Sequence, residues 1–274
     1  MKSEDLETVR MVVHARSGVA VDISKEYAIE SRLAPLARRD SFADVGELVQ
    51  AIRARRDEGL MWSVTEALIQ GETCFFRDRE PFALFRDDML PALAARADRP
   101  VRVWSAACST GQEPYSLAMI VDEVAPRFPG LKVELFASDL SERRLEKAQS
   151  GLYTQFEVQR GLPIRLLVRH FEKVEEVWRL SQSLRQMVRF RRINLLADLR
   201  ALGQYDVIFC RNVISSLDPA LRGRVLEQMA QALAPGGWLV LGQDERPMGL
   251  TEALESISGW DGAFGRNPAF RAAA

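Results

Sequence analysis

Several apolar runs in this chain end in residues that can do chemistry. Asp139 follows KVELFAS, Asn194 follows VRFRRI, and Arg211 and Asn212 follow VIFC. In a sheet wound from parallel strands, ligands bind outside the carboxyl ends of the strands, so these positions matter most. A carboxylate there accepts hydrogen bonds from ligand hydroxyls, and a carboxamide can pair with the edge of a heterocycle. An arginine at the mouth of a buried strand needs a counter-charge. Each has a plain alternative: Asp139 can cap the helix SERRLEKA, a task for which Ser141 competes, and Asn194 can simply form a turn.

The most informative stretch is Val101 to Met119, VRVWSAACSTGQEPYSLAM. Its strand-like start gives way to Ser105, Ala106, Ala107, Cys108, Ser109, Thr110 and Gly111, residues small enough to let a ligand approach the main chain. Glu113 and Pro114 then open a helix, proline being suited to the first turn and glutamate to the positive end of the helix dipole. A dinucleotide site would need three spaced glycines and helix amides facing a pyrophosphate. This loop has one glycine and sets a carboxylate where the phosphate would sit. The ligand it implies is cationic, bears an amino acid and lacks phosphate, a description that fits S-adenosylmethionine.

A second cluster is GETCFFRD, residues 71 to 78. Phe75 and Phe76 are expected to pack at a junction. Thr73 and Arg77, held beside two phenylalanines, are positioned polar groups, and the guanidinium could grip a carboxylate in two places. A surface salt bridge from Arg77 to Asp78 or Glu80 is the competing expectation.

These residues need elements to hold them. Up to about residue 75 apolar residues recur at helical spacing: Leu6, Val9, Val12 and Val13; Tyr27, Ile29, Leu33 and Leu36; Val45, Leu48, Val49 and Ile52. Beyond Pro100 the strand candidates VRVWSA, KVELFAS, VRFRRIN, YDVIFCR and GGWLVLG alternate with helical segments, the pattern of a parallel, doubly wound sheet. Gly151 to Phe190 is too long for an ordinary crossover and reads as a helix followed by a small antiparallel insertion, with short strand signals in WRLSQSLRQMVRF.

Composition sets the outer limits. Among 274 residues, 37 Lys and Arg face 38 Asp and Glu, and the net charge of −1 argues against nucleic acid or an anionic membrane as a bulk partner. Cys74, Cys108 and Cys210 form no C-x-x-C pair, and only His14 and His170 could join them, so no metal site is expected. No apolar run approaches a membrane span and the first residues are too acidic for a signal peptide, so a cytoplasmic location without membrane insertion is expected.

Through these motifs the chain resembles the CheR-type chemoreceptor glutamate O-methyltransferases. GETCFFRD is similar to the family's N-E-T-x-F-F-R-D box, WSAACSTGQEPYSLAM to its S-T-G-E-E-P-Y-S loop and FASDL to its ribose-binding strand end; RGLP with LLVRHF, VRFRRINLL, YDVIFCRNV and LAPGGWLVLG follow in order. The resemblance implies an α/β fold of class I S-adenosylmethionine-dependent methyltransferases, a Rossmann-like doubly wound sheet. To it are added a helical, receptor-contacting domain over 1–78 and an antiparallel β-subdomain over about 153–190, inserted in a catalytic domain over 79–274.

Carried over by position, the resemblance implies that Thr73 and Arg77 meet the methionine end of the cofactor, Glu113 its amino group and Asp139 its ribose. Asn194 and Leu195 would frame the adenine, with Arg211 and Asn212 along the pocket wall. It implies methylation of glutamates on the cytoplasmic helices of a chemoreceptor, with S-adenosylhomocysteine as the other product. Arg77 and Ser216 are then the candidate catalytic residues. The chain departs from the family at Gly71, where asparagine is usual, and at Ser216, where a tyrosine is usual. Those departures motivate a rival reading, a receptor-binding regulatory protein with weak or lost turnover. Arg32, Arg38 and Arg39, with Arg53, Arg55 and Arg56, would form a basic patch for acidic receptor helices. The segment from Glu172 to Glu176 lacks the glycines of relatives that grip a receptor's C-terminal pentapeptide, so no such tether is expected.

Overall fold

The computed structural model describes all residues but Gln70, Ala97 and 271–274. The chain forms two compact units, Met1–Gln70 with Ser216–Arg222, and Gly71–Ser215 with Gly223–Ala274.

The first unit is built on α1 (Ser3–Ser17), α2 (Glu26–Arg39), α3 (Val45–Arg55) and α4 (Glu58–Leu68). Local chemistry sets their ends. Gly18 closes α1 at φ 70°, and the carboxylates of Asp44 and Asp57 cap α3 and α4 by accepting from Glu47 N and Leu60 N. Val9, Val13, Leu33, Leu48, Val49 and Val64 form the dry centre. The expected stripe holds except at Tyr27, which is 86% exposed: it sits in the first turn of α2, ahead of the buried Ile29 and Leu33. Ser216–Arg222 joins this unit by backbone pairing. Ala20 N donates to the Ser216 carbonyl at 3.0 Å and Asp218 N to that of Gly18 at 2.8 Å. Such a return of the chain leaves no periodic trace in the sequence.

The second unit begins with α5 (Glu80–Leu84), which passes through a π turn (Phe85–Met89) into α6 (Leu90–Arg96). Next come β1 (Val101–Ala106), α7 (Gln112–Val124), β2 (Val133–Asp139), α8 (Glu142–Ser150), β3 (Leu152–Thr154), α9 (Gln155–Gln159) and α10 (Ile164–His170). After them run β4 (Phe171–Val174), β5 (Val177–Leu180), α11 (Gln182–Met187), β6 (Val188–Arg192), β7 (Tyr205–Cys210), α12 (Pro219–Gln231), β8 (Leu233–Leu241), β9 (Leu254–Ser256) and β10 (Ala263–Arg266).

The large sheet has the order β6-β2-β1-β7-β8-β10-β9. Its first five strands are parallel, and β10 runs antiparallel to β8 and β9. The five expected wound strands are present. β9 and β10 were not expected, being three and four residues long and joined through Gly259 and Gly262, both at positive φ. The order reverses between β1 and β7, and their carboxyl ends therefore open a crevice of the kind that binds ligands in such sheets.

The insertion is a three-stranded antiparallel sheet, β3-β5-β4. In WRLSQSLRQMVRF, where short strands were expected, the first three residues lie in β5, but Gln182–Met187 is helix α11 and Val188 already belongs to the large sheet. Phe75 ties the insertion to the unit's core, with its ring edge-on to Tyr153 at 5.1 Å and Phe171 at 5.7 Å. Gly161 lies against the same segment: a Cβ there would stand 2.0 Å from the Phe75 carbonyl oxygen, and its φ is +82°. Gly161→Ala is therefore expected to destabilise the protein by about 1–3 kcal/mol. That lowers the thermal midpoint by roughly 2–4 °C per kcal/mol at this size. An unchanged midpoint in a thermal melt would count against this close approach.

Candidate active site

The loop between β1 and α7 is wound tightly. Ala107, Ser109 and Gly111 all have positive φ, at 54°, 51° and 93°. Only Gly111 is free of strain in that region, and it is also the one without room, since a Cβ would lie 2.8 Å from that of Ala148. Ser109 is held in the left-handed conformation by what it bonds, and Cys108, between it and Ala107, is pinned as well. Cys108 N donates to the Ser138 carbonyl, Ser109 N to Asp139 Oδ2 at 2.9 Å, and Ser109 Oγ to the Gly71 carbonyl at 2.6 Å. Tyr153 OH donates to the Thr110 carbonyl at 2.9 Å.

Asp139, the last residue of β2, is 4% exposed. Its second oxygen accepts from Ser141 N at 2.9 Å, and Arg144 Nη1 stands 4.0 Å away. Ser141, not Asp139, caps α8, its hydroxyl accepting from Arg144 N. Burial pushes the Asp139 carboxyl above its ordinary value against the pull of these donors. Burial also pushes the thiols of Cys108 and Cys210 well up, so both are neutral and neither is a thiolate nucleophile.

Across the crevice, Arg211 finds the counter-charges that its position demands. With its side chain 2% exposed, it donates to Glu113 Oε2 at 3.2 Å, Asp78 Oδ2 at 2.6 Å and the Arg77 carbonyl at 2.8 Å, with its guanidinium carbon 5.4 Å from the centre of the Phe82 ring. Glu113 Oε1 accepts from Ser105 Oγ at 2.8 Å. The expected surface bridge from Arg77 to Asp78 or Glu80 does not form. Asp78 is taken by Arg211, and Arg77 Nη1 reaches the Glu72 carbonyl at 3.0 Å. Arg77 makes no ion pair among the described residues, and half-buried Thr73 lies four residues before it.

Asn194 turns the chain after β6, its Oδ1 accepting from Leu196 N at 3.0 Å, and Leu195 beside it is buried. Asn212, at φ 59°, follows Arg211, and its Oδ1 is buried with no protein partner among the described residues. Sequence reasoning missed the residue that shapes this turn. Glu245 is 4% exposed and accepts from Asn212 N at 2.7 Å, Gly242 N at 2.9 Å and Ser215 N at 2.9 Å. It follows the end of β8, where the rule that singled out Asp139 and Arg211 would have found it. Ser216 groups with the first unit, whereas Thr73, Arg77, Glu113, Asp139, Asn194, Leu195, Arg211 and Asn212 all lie in the second. No three His, Cys, Asp or Glu among the described residues gather as a metal site would require.

Comparison with known proteins identifies the family. Residues 71–261 match the family described as CheR methyltransferase, SAM binding domain, and residues 4–68 the CheR methyltransferase all-alpha domain. The chain is 37% identical to a chemotaxis protein methyltransferase of Vibrio parahaemolyticus, over 89% of this chain and 90% of that one. It is 38% identical to chemotaxis protein methyltransferase 1 of Pseudomonas aeruginosa, over 92% and 94%. The Escherichia coli chemotaxis protein methyltransferase is 32% identical over 86% and 82%.

The raised Asp139 carboxyl yields a pH prediction. The folded protein without ligand keeps a proton there that the unfolded chain has lost, so this group's stability contribution is full below the ordinary 3.8 and falls as pH rises through the raised value. A ligand donating hydroxyl hydrogen bonds to the carboxylate favours its charged form and expels the proton. Affinity for S-adenosylhomocysteine is therefore expected to rise from pH 4 upward and level off once Asp139 is ionised, with proton release on the rising limb. Calorimetry in two buffers of different ionisation enthalpy measures both, and Asp139→Ala should abolish the release.

Proposed function

The chain belongs to the CheR methyltransferase family, and from that premise we propose that it transfers the methyl group of S-adenosylmethionine to glutamate side chains of chemoreceptors. The products are a glutamate methyl ester and S-adenosylhomocysteine. The observation that carries this reading is the crevice at the carboxyl ends of β1, β2 and β7, where Glu113 and Asp78 share the one buried Arg211 and Asp139 ends β2 beside Arg144. Such a site suits a ligand with a sulfonium and an ammonium and repels a pyrophosphate.

In this reading Asp139 accepts from the ribose hydroxyls, Asn194 and Leu195 bracket the adenine, Glu113 faces the amino group, and Arg211 and Asn212 form the wall. Thr73 and Arg77 stand at the methionine end. The glutamate substrate, with an ordinary pKa of about 4.3, arrives as the anion. One carboxylate oxygen bonds to the methyl carbon as the carbon–sulfur bond breaks, and the bonding pair stays on sulfur. No proton moves, so no general base is needed and the task is alignment, which can supply about 7–11 kcal/mol. Arg77, uncommitted to any carboxylate, orients the acceptor, and Ser216 is a minor helper.

The helical unit is the receptor-contacting part of this proposal. Arg38, Arg55 and Arg56 are exposed and make no ion pair among the described residues, whereas Arg39 pairs with Asp40 and Arg53 with Asp5. The cytoplasm follows from the substrate proposed.

Radioactive methyl transfer to receptor-bearing membranes tests the whole reading. Wild-type protein should form base-labile esters, and S-adenosylhomocysteine binding without ester formation would overturn it in favour of a protein without turnover. Arg77→Ala should lower kcat/KM by about 10²-fold, and Ser216→Ala by less than about tenfold.

The hairpin of the insertion carries a separate prediction. Val174 pairs with Val177, so only Glu175 and Glu176 connect β4 to β5, with Glu175 at φ 53°. Two carboxylates at so tight a turn disfavour a peptide's terminal carboxylate. Titration with a receptor C-terminal pentapeptide should show no binding, and a micromolar Kd would contradict this.

A further inference from the structure

Gly71 is a glycine for reasons of space. Its φ lies outside the left-handed region, so the backbone would accept any residue, yet a Cβ would stand 2.3 Å from Arg144 Cζ and within 2.6 Å of both terminal nitrogens. The Arg144 guanidinium fills the volume that a side chain at position 71 would take. Arg144 starts from an unfavourable place, the first turn of α8, three residues after the capping Ser141, where the helix dipole disfavours a cation and glutamate or glutamine is the usual choice. Its charge is offset by Asp139, 4.0 Å away, and its side chain is only 18% exposed.

Ser109 closes the circuit. Its hydroxyl donates to the Gly71 carbonyl and its N–H to Asp139 Oδ2. Gly71, Ser109, Asp139 and Arg144 thus form one connected set, in which the position of each fixes the next. Without Arg144, the carboxylate would have only backbone donors to set its orientation and offset its burial.

We propose that Arg144 is a positioning residue for cofactor binding, holding the Asp139 carboxylate in place, and that Gly71 lacks a side chain in order to admit the guanidinium. This rests on the assignment of Asp139 to the cofactor's ribose. The function of the pair is then coupled. A side chain at 71 harms the site by displacing Arg144, and it should do little once Arg144 is gone.

Calorimetric titration of the full chain with S-adenosylhomocysteine tests this. Arg144→Ala is expected to weaken binding about tenfold, Arg144→Lys to restore it to within about threefold of wild type, and Gly71→Asn to weaken it about as much as Arg144→Ala. In the Arg144→Ala background, Gly71→Asn should add less than about a twofold loss. A helix-stabilising role alone would give neither rescue by lysine nor coupling to position 71. Wild-type affinity in Arg144→Ala, or full additivity of the two changes, overturns the proposal. Asp139→Ala separates the two levels. If it loses binding while Arg144→Ala does not, only the positioning role fails; if Asp139→Ala binds normally, the ribose assignment fails and takes this proposal with it.

Discussion

A guanidinium with 2% of its side chain exposed has to be neutralised inside the fold, and the second unit is arranged around that demand at Arg211. Its partners come from three directions: Glu113 from the first turn of α7, Asp78 and the Arg77 carbonyl from the segment before α5, with the Phe82 ring beneath. Removing one member of such a buried set leaves a charge without compensation, typically at a cost of about 3–5 kcal/mol. The same set fixes the ligand chemistry. One cation shared between two carboxylates leaves an excess of negative charge at Glu113 and Asp78, whereas Asp139, at the end of β2, has Arg144 4.0 Å away. Around Arg211 that excess favours a cation, the condition that a sulfonium with an ammonium satisfies.

The loop after β1 shows how the fold supports backbone strain at this place. Ala107 and Ser109 each occupy a region that costs a residue with a side chain about 1–3 kcal/mol. The Ser109 N–H to Asp139 and its hydroxyl to Gly71 offset part of that cost, and Tyr153 OH bonds the next carbonyl. Of the two strained residues, Ser109 is the one bonded to the buried Asp139 carboxylate. Glycines at both positions would relieve the strain and keep the N–H bond to Asp139, but would lose the hydroxyl bond to the Gly71 carbonyl.

Much of this was legible in the sequence because it depends on patterns a chain cannot conceal. Runs such as VRVWSA and YDVIFC are short, rich in β-branched and aromatic residues and bounded by turn residues, which favours strand over helix, and residues at their ends inherit the place where such sheets bind ligands. Arg211 stood out by its place at the mouth of a hydrophobic strand, where an arginine needs a counter-charge. What escaped depends on contacts across long separations. Glu245 organises the turn at Asn212 from 33 residues away, and its neighbours GQDERP look like any polar loop. Arg144 sits in a solvated-looking helix start, and its role emerges only when Gly71 is brought beside it. The return of Ser216–Arg222 to the helical unit is backbone pairing, to which side-chain periodicity is blind. β9 and β10 are shorter than the window over which alternation can be recognised.

The insertion is joined to the cofactor loop and not merely carried by the sheet. Tyr153 of β3 is fully buried, packs edge-on to Phe75 and to Tyr115, and spends its hydroxyl on the Thr110 carbonyl. Phe171 of β4 completes the aromatic cluster against Phe75, and Gly161 lies flat on the Phe75 carbonyl. Phe75 belongs to the same short segment that supplies Gly71 to Ser109 and Asp78 to Arg211. Segment 71–78 is thus held at one end by Ser109 of the loop after β1, in the middle by the antiparallel insertion and at the other end by the buried Arg211. A shift of any of the three must move a chain whose backbone has positive φ at Phe76, Asp78 and Arg79 and therefore little freedom to absorb it. The consequence is mechanical: the insertion cannot change its packing on Phe75 without disturbing the contacts that the segment makes with Ser109 and Arg211.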